Sequence, residues 1–320
     1  MTRLPITNDD IGCRLDRLVR KRLKLSSLAH IYRLIRTGEL RVNGRKAAQN
    51  YRLQAGDAIE VNVDPAMLVT SDLSQRDSIK KLVNTTFFTR NFNIIFEDES
   101  LIACDKPAGL AVHPGTAHQH HDTLIELAQS YMLSKSKNAA EPVLAHRLDK
   151  DTSGVILVAK SRRVVRVLHS SFASRNIDKR YVAMCHGAPP ELKGNVELDL
   201  KRVHQRHKGT KMQVAGCGKA SRSSYEVMQT SHGISCVAIR LYTGRTHQIR
   251  IHLQHLGAPI IGDDRYGDLK RDARVMQHRN SCRRLYLHAA SLRLPHPETG
   301  APIELTAPLP VEFDDLLTHT

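Results

Sequence analysis

A stretch near the middle of the chain combines cations and carboxylates between apolar flanks. It runs from His146 to Gly154, reads His-Arg-Leu-Asp-Lys-Asp-Thr-Ser-Gly, and precedes the apolar run 155–158. A carboxylate that is held by a neighbouring cation stays ionised and fixed in direction, as a nucleophile or a general base must be. A salt-bridged turn that ends in a hydrogen-bonded bend accounts for the same residues without any chemistry. The residue types alone leave both interpretations open.

A second stretch, 243–252, reads Thr-Gly-Arg-Thr-His-Gln-Ile-Arg-Ile-His. Gly244 allows a tight turn after a predicted strand, and Arg245 then lies at the mouth of the following helix. An arginine in that place can hold a carboxylate through two parallel hydrogen bonds. The alternative is an exposed basic first turn of a helix. His247 is predicted to be a packed or hydrogen-bonded histidine rather than a catalyst.

The remaining patterns predict neither a cofactor nor a metal. Residues 216–220 lack the leading glycine and the hydroxyl residue of a phosphate-binding loop. The histidines at 118, 120 and 121 have no carboxylate or cysteine framework around them in the sequence, so they are predicted to lie in a solvated loop. No two of the six cysteines show a Cys-x-x-Cys spacing, which favours reduced thiols over a zinc ribbon.

The charge of the chain points to a polyanionic partner. Lys and Arg total 48 against 32 acidic residues, a formal net charge of +16 with an isoelectric point near 9.8. A basic protein without such a partner is the alternative. Aromatic residues make up only 4% and there is no Trp, which favours a groove that binds phosphates over repeated base stacking.

No apolar stretch approaches the roughly 18 residues of a membrane helix. Residues 1–10 do not resemble a secretory signal, so a cytoplasmic protein without membrane association is predicted.

Residues 1–64 are predicted to form a small N-terminal unit with two helices followed by short strands. The first helix carries apolar residues from Leu15 to Leu23, and the second, capped by Ser26 or Ser27, carries them from Leu28 to Ile35. Gly38 should end the second helix, Asn43-Gly44 should form a tight turn, and the alternation from Ile59 to Val63 predicts a strand. The basic side chains of the two helices that we expect to contact a polyanion are Arg17, Arg20, Lys21, Arg33 and Arg36.

The rest of the chain divides into a predicted linker, 65–90, and a larger unit, 91–320. The linker is rich in Ser, Thr, Asp, Gln and Lys without a persistent period, which leaves open whether it is disordered or lies along the next unit. In the larger unit, apolar runs around the acidic turn 97–99 predict a hairpin, and Thr246 is predicted to cap a helix that Gly257 ends. Strands and helices alternate irregularly, so the predicted fold class is α+β with a mixed, largely antiparallel sheet.

Several ordered motifs resemble those of the Rlu family of bacterial pseudouridine synthases, and the likeness covers most of the chain. The matching segments are 106–109, 112–115, 146–149 with 152–154, 179–183, 244–250, 262–267 and 287–289. The N-terminal unit resembles the S-four RNA-binding domain that many members of the family carry. Within the family, the chain looks closest to members that modify several uridines of large-subunit (23S) ribosomal RNA. The basic, irregular segment 201–216 lies where members of the family vary.

The resemblance implies an isomerase that needs no cofactor and assigns roles to individual residues. Asp149 should be the essential carboxylate, acting either as a nucleophile at the anomeric carbon or as a base at the 2′ position. Arg245 should pair with Asp149, and Tyr181 should lie flat against the uracil and could later accept a proton from it. Leu287 should close the apolar side of the base pocket. His146 and Arg147 are further predicted substrate contacts, with Arg147 filling the space that the target base leaves.

Asp151, two residues further on, is the alternative carboxylate, and the apolar Leu148 before Asp149 favours Asp149. The expected partner is structured RNA, either large-subunit ribosomal RNA or its precursor particle, bound by a monomeric enzyme. Three other functions compete with this one. They are a non-catalytic RNA-binding or ribosome-assembly protein, a nucleotide-dependent enzyme, which the missing phosphate loop disfavours, and a pseudouridine synthase that acts on transfer RNA.

Overall fold

A computed structural model of the chain describes residues 2–4, 6, 10–23, 28–63, 91–113, 123–136, 139–174, 176–205, 209–278 and 284–318. The predicted linker, the candidate caps Ser26 and Ser27 and the histidines at 118, 120 and 121 lie outside these residues. The fold is α+β, as the sequence predicted, with two separate sheets. None of the helices in the described ranges has the length and apolar character needed to cross a bilayer.

The N-terminal unit packs two helices against a small antiparallel sheet. Its elements are β1 (Thr2–Leu4), α1 (Leu15–Arg22), α2 (Leu28–Thr37), β2 (Leu40–Val42) and β3 (Ile59–Val61), and the strand order is β1-β3-β2. Among the apolar residues at helical spacing, those with described side chains are buried and form its core, namely Leu15, Leu18, Val19, Leu23, Ile31, Leu34 and Ile35. Asn43 and Gly44 have φ angles of 50° and 73°, as the two-residue turn requires. The partner of β2 is nevertheless the distant β3.

In the described residues, the larger unit is built on one sheet of eleven strands. Its elements are β4 (Asn93–Glu97), β5 (Leu101–Lys106), α3 (Leu124–Lys135), β6 (Val143–Leu144), β7 (Ser153–Ala159), α4 (Arg162–Ala173), β8 (Asp178–His186), β9 (Lys193–Gln205), β10 (Gly209–Val214), β11 (Lys219–Ser231), β12 (Ile234–Leu241), α5 (Gln248–His255), α6 (Leu269–His278), β13 (Leu287–Pro295), β14 (Pro302–Thr306) and α7 (Val311–Thr318). The order is β10-β9-β11-β12-β8-β13-β7-β5-β4, with β14 on β13 and β6 on β7. Among the described pairs only β13 with β7 is parallel, which matches the predicted largely antiparallel sheet.

Strand β7 is apolar throughout because both of its faces are covered. Ile156 and Val158 pack with the residues of α3, whereas Val155 and Leu157 pack with those of α4. The period of two along a strand sends successive side chains to opposite faces, so a continuous apolar run is what such a central strand needs. This buried strand fixes the end of the loop that precedes it, residues 145–152.

Gly154 allows β7 and β13 to approach each other closely. Its φ angle is +108°, and a β-carbon at this position would lie 2.2 Å from the carbonyl oxygen of Ala289. Gly154 and Ala289 are partners in the parallel pairing of the two strands. Only a residue without a side chain fits here, so the glycine that ends the first motif is a structural requirement of the sheet.

Helix α5 begins one residue later than predicted, so the prediction of Thr246 as the N-cap is wrong. The N-cap is His247, which has a left-handed backbone with φ 55° and ψ 22° and no side-chain cap hydrogen bond. The side chain of Gln248 explains the shift, because its Oε1 accepts hydrogen bonds from the backbone of Arg245 and from the Thr243 hydroxyl. The turn is thus closed from inside the helix, and this changes which side chains face inward.

We predict that Gly154→Ala destabilises the protein by on the order of 3 kcal/mol, because the new methyl group must push β13 away from β7. Urea unfolding measures the effect. Gly300→Ala is the matched control, since Gly300 has φ +73° but open space around it, and we expect a cost of about 1 kcal/mol from backbone strain alone. Equal losses in the two variants would contradict the close-approach argument.

Candidate active site

A cavity of about 450 Å³ lies between the 145–152 loop and the first turn of α5. This volume is in the range of small-molecule sites in proteins. Six of the predicted site residues line it, namely His146, Arg147, Asp149, Tyr181, Arg245 and Leu287. The structure therefore brings together residues that are up to 141 positions apart in the sequence, from His146 to Leu287.

The cavity has a strongly cationic lining. Arg147, Lys179, Arg245 and Arg250 line it, whereas Asp149 is the one carboxylate among its lining residues. Burial lowers the pKa of Lys179 from its ordinary value. A concave surface with this excess of positive charge attracts phosphates and raises their local concentration.

Asp149 lies in the loop between β6 and β7 with its side chain 22% exposed. The loop turns directly after it, where the Thr152 N–H donates to the Asp149 carbonyl at 3.2 Å. Leu148 is buried and packs in the hydrophobic cluster around α3. The buried leucine on one side and the turn on the other hold the Asp149 carboxylate toward the cavity.

The buried ammonium of Lys106 also holds the 145–152 loop in place. Its side chain is fully buried, and its ammonium donates to the carbonyl oxygens of Pro107, Leu110 and Lys150 at 2.7, 2.9 and 2.8 Å. Three donors thus meet three acceptors. Burial lowers the pKa of Lys106 to about 7, while the nearby carboxylates of Asp151 and Asp149 oppose this shift. The first residue of the 106–109 motif, Lys106, therefore stabilises the turn that follows Asp149 through its hydrogen bond to Lys150.

The cation at Asp149 is Arg250, so the predicted pairing of Asp149 with Arg245 is wrong. Arg250 Nη1 lies 3.6 Å from Asp149 Oδ2, whereas Arg245 Nε donates to the carbonyl oxygen of Ala220 at 3.2 Å. Arg245 belongs to the turn before α5 and reaches across to β11. Because α5 begins at Gln248, Arg250 lies in its first turn and faces inward. Arg245 still lines the cavity.

Arg250 forms a buried bidentate salt bridge with Asp263. Its Nε and Nη2 donate to the two carboxylate oxygens of Asp263 at 2.7 and 2.6 Å, and Nη2 also donates to Asp264. The side chains of Arg250 and Asp263 are 6% and 1% exposed. The backbone N–H groups of Arg265 and Tyr266 donate to Asp263 as well. The 262–267 motif of the sequence therefore serves to position the guanidinium that reaches Asp149.

Tyr181 and Leu287 form the apolar wall of the cavity. Tyr181 lies on β8 and Leu287 begins β13, and these neighbouring strands bring both side chains to the same end of the sheet. Burial, and then the charge of Asp149, raise the pKa of Tyr181 above its ordinary value. The phenol is therefore protonated at rest and presents a neutral ring to the cavity.

His146 has a structural anchor in addition to its place in the lining. Its Nε2 accepts a hydrogen bond from the Leu157 N–H at 3.0 Å, and its ring lies 5.2 Å from the ring of Phe172. Burial lowers the pKa of His146 to about 3, so the imidazole is neutral at physiological pH. His146 Nε2 is thus hydrogen-bonded to strand β7. A contact between Nδ1 and a ligand remains a prediction.

The remaining predicted contacts lie on exposed surfaces. The guanidinium of Arg147 is exposed at the cavity and has no hydrogen bond or ion pair with any other residue that the structure describes. In the N-terminal unit, the side chains of Arg17, Arg20, Arg33 and Arg36 are exposed, and Arg33 pairs with Glu39 at 2.9 Å. The side chain of Lys21 lies outside the described residues. Their contacts with a polyanion remain predictions.

Sequence reasoning missed Arg250, Asp263 and Tyr266 as parts of the site. A signal for Arg250 was present, because it is a second arginine in the 244–250 motif and lies in the first turn of the predicted helix. Asp263 and Tyr266 were recognised only as landmarks, since nothing in their local pattern says which cation they hold.

Two family models match the chain. Residues 100–255 match the model described as RNA pseudouridylate synthase, and residues 13–59 match that of the S-four domain. The first match contains Asp149, Tyr181, Arg245 and Arg250, and the second contains the basic helices of the N-terminal unit.

Curated proteins from bacteria are similar over nearly the whole chain. A protein named ribosomal large subunit pseudouridine synthase C from Buchnera aphidicola is 34% identical over 98% of this chain and 95% of its own length. The proteins of that name from Vibrio vulnificus and Escherichia coli are 35% and 33% identical, over 98% and 95% of this chain and 94% and 92% of their own lengths.

A solved structure shares the fold. The structure titled human RNA pseudouridylate synthase domain containing 4 superposes with a TM-score of 0.59 at 25% identity, covering 76% of this chain and 95% of that one.

We predict that acidification destabilises the protein partly through His146. Its folded pKa, about 3, lies below the ordinary value of 6.5, so the stability it contributes is complete above pH 6.5 and is lost as the pH falls towards 3. In His146→Gln the amide oxygen can accept from Leu157 N–H but does not titrate. We expect the drop in unfolding free energy between pH 7 and pH 5 to be smaller by on the order of 1 kcal/mol.

Urea unfolding at the two pH values measures this difference. His169→Gln is the control, because His169 is exposed on α4 and its substitution should leave the drop unchanged. A drop of the same size in His146→Gln as in the wild type would show that the buried imidazole does not titrate on unfolding.

Proposed function

Because the chain belongs to the RNA pseudouridylate synthase family, we propose that it converts specific uridines of large-subunit ribosomal RNA to pseudouridine, with Asp149 as the catalytic carboxylate. The chain is an RNA pseudouridine synthase, an isomerase. The names of its bacterial relatives support the choice of RNA. The observation that carries the proposal at the site is a carboxylate beside a buried guanidinium in a cationic cavity.

The reaction breaks the N-glycosidic bond of a uridine, turns the freed uracil and joins a ring carbon to the same sugar carbon. The proton on that ring carbon leaves, and the former glycosidic nitrogen gains one, so the product is an isomer. An ionised Asp149 serves either as the nucleophile at the anomeric carbon or as the base at the 2′ position. Both roles need a carboxylate that Arg250 holds in one orientation.

Tyr181 and Leu287 are proposed to hold the uracil during its rotation. A detached base that stays in the cavity needs an apolar surface on which it can turn, and the ring of Tyr181 offers one. The raised pKa of Tyr181 makes its phenolate costly while Asp149 is charged. Its proposed role in the resting enzyme is therefore stacking rather than proton abstraction.

The target nucleotide must leave its stack to reach Asp149. Extrusion costs a few kcal/mol, and loops or bulges in the RNA lower this cost. Arg147 is proposed to fill the vacated space, because its exposed guanidinium lies at the cavity and has no partner within the described part of the chain. His146 is proposed to contribute by keeping the loop that carries Arg147 attached to β7.

The N-terminal unit, residues 1–64, is proposed to bind phosphates of the same RNA through its two helices. It contacts the larger unit at the start of α4, where Arg162 Nη1 donates to Cys13 Sγ at 3.0 Å. Phe172 and Ala173, at the other end of α4, line the cavity. A helix of 12 residues is about 18 Å long, so one RNA element can reach both surfaces. Such contacts position the RNA without reading its sequence.

The proposal also covers the setting in which the enzyme works. A large-subunit ribosomal RNA substrate, free or in a precursor particle, implies a cytoplasmic enzyme. The proposed active unit is a monomer. The segment 65–90 is proposed to connect the two units.

We predict that Asp149→Asn abolishes pseudouridine formation but leaves RNA affinity within a few-fold of the wild type. Purified protein is incubated with ribosomal RNA that lacks the modification, the RNA is digested to nucleosides, and the products are separated by chromatography. Binding is measured on the same RNA at increasing salt, where the slope reports the number of phosphates contacted. Asp151→Asn is the matched control, because Asp151 is exposed two residues away, and it should retain activity.

Three results would contradict the proposal. Turnover by Asp149→Asn excludes this residue as the essential carboxylate. Salt-sensitive binding without product, even by the wild type, indicates an RNA-binding protein that is not an enzyme. Product in a parallel reaction with transfer RNA, but none with ribosomal RNA, moves the substrate to transfer RNA.

We further predict that Arg250→Lys lowers the single-turnover rate by about 100-fold. A lysine cannot form the bidentate salt bridge with Asp263 and reach Asp149 at the same time. Arg245→Lys is the comparison, and we expect it to weaken RNA binding with less than about a tenfold effect on the rate. Thermal melting checks that both variants are folded. A large rate loss in Arg245→Lys together with a small one in Arg250→Lys would restore the assignment made from the sequence.

A further inference from the structure

His247 lies in the cavity on a backbone that is unfavourable for it. Its φ angle of +55° places it in the left-handed region, which a residue with a β-carbon adopts at a cost of roughly 1–2 kcal/mol. Such strain persists where the surrounding structure enforces it, and observed cases cluster at functional sites. The reaction as described above assigns no task to the His247 side chain, although its imidazole is 14% exposed and lies beside Asp149.

The two ring nitrogens of His247 face different partners. Nδ1 lies 2.9 Å from the hydroxyl of Tyr266. Nε2 lies 3.8 Å from Asp149 Oδ2, which is the same oxygen that Arg250 Nη1 approaches to 3.6 Å. Both groups thus lie on the Oδ2 side of the carboxylate.

Tyr266 determines which ring nitrogen carries the proton. Its hydroxyl accepts a hydrogen bond from the Met212 N–H at 3.1 Å, and Tyr266 is only 3% exposed. Within the described part of the chain, the acceptor available to the Tyr266 proton is His247 Nδ1. A buried hydroxyl that does not donate loses about 1–3 kcal/mol. Tyr266 therefore donates to Nδ1, and the proton of the neutral imidazole lies on Nε2.

The surroundings keep the imidazole neutral. Burial lowers the pKa of His247, and the charges of Arg250 and Arg265 act in the same direction, whereas Asp149 and Asp263 oppose them. A neutral ring with its proton on Nε2 can donate toward Asp149 without adding a charge that would compete with Arg250.

We propose that His247 is a positioning residue, whose Nε2–H is aimed by Tyr266 at Asp149 Oδ2 so that Oδ1 faces the ribose of the target uridine. The inference rests on the proposed function of Asp149. In the resting structure the 3.8 Å separation is too long for a hydrogen bond. Catalytic hydrogen bonds of this kind often shorten only when substrate is bound. A series of polar contacts from the Met212 N–H through the Tyr266 hydroxyl and the His247 ring thus links β10 to the Asp149 carboxylate.

The first test measures the tautomer in the free protein. Protein labelled with nitrogen-15 in its histidines is compared by NMR with Tyr266→Phe and His247→Asn, the latter identifying the His247 signal among the 18 histidines. We expect the Nε2–H tautomer in the wild type and a mixture of tautomers in Tyr266→Phe. A proton on Nδ1 in the wild type, or an unchanged tautomer in Tyr266→Phe, overturns the inference.

The second test compares two substitutions at His247 under single turnover with saturating RNA. Asn tolerates the left-handed backbone but is too short to place an N–H where Nε2 lies, whereas Gln can place one there. We expect His247→Asn to lower the rate on the order of 10- to 100-fold with RNA affinity unchanged within about twofold, and His247→Gln to restore most of the rate. A purely structural role predicts the opposite order, because Gln fits the backbone less well.

A full rate in His247→Asn overturns the inference, as does a rate in His247→Gln no higher than that of His247→Asn. Melting temperatures of both variants separate these effects from loss of the fold. If the wild type forms no pseudouridine in any RNA, the proposed function fails and takes the inference with it. An active wild type whose tautomer or variant rates disagree overturns the inference alone.

Discussion

The buried bidentate salt bridge between Asp263 and Arg250 is the interaction on which the site depends. Removing a guanidinium and a carboxylate from water is costly, and the cost is offset only when the geometry is good and the remaining lone pairs are satisfied. Here two short hydrogen bonds join the groups, and two backbone N–H groups complete the carboxylate. Because Asp263 fixes the guanidinium, its third nitrogen can lie beside Asp149 without a direct hydrogen bond. The carboxylate that faces the cavity is therefore oriented by a charge that cannot move away.

The sequence predicted the elements of the fold better than the contacts of the site. Apolar periodicity identified the helices of the N-terminal unit and the two-faced strand β7, because burial depends mainly on local spacing. The partner of Asp149 depended instead on where α5 begins. Gln248 closes that turn through the backbone of Arg245, and this interaction moves the inward face from Arg245 to Arg250. The helix starts one residue later than predicted, at 248, and neither propensity nor motif spacing reveals the hydrogen bond that sets this start.

Neutral or fully buried groups stabilise the loop around the charged pair. His146 accepts from the backbone of β7, and the buried ammonium of Lys106 donates three hydrogen bonds to carbonyl oxygens next to the turn after Asp149. Tyr181 is a protonated phenol because burial and Asp149 both disfavour its anion. The loop that carries Asp149 is thus fixed by hydrogen bonds that use no exposed charge, which leaves the cations of the cavity available for phosphates.

The place of β13 in the sheet bears on how the protein is made. This strand comes late in the chain, yet it lies between β8 and β7 in the middle of the sheet, and its partners precede it by more than a hundred residues in sequence. During translation, β7 can pair with β5 and β8 with β12, but no strand links these two pairs until β13 has left the ribosome. Pairings of such long sequence separation are slow to form, since loop closure must precede them. The cleft is consequently assembled only once β13 has been synthesised and has paired with β7 and β8, so a nascent chain that ends before Leu287 has no complete catalytic cavity.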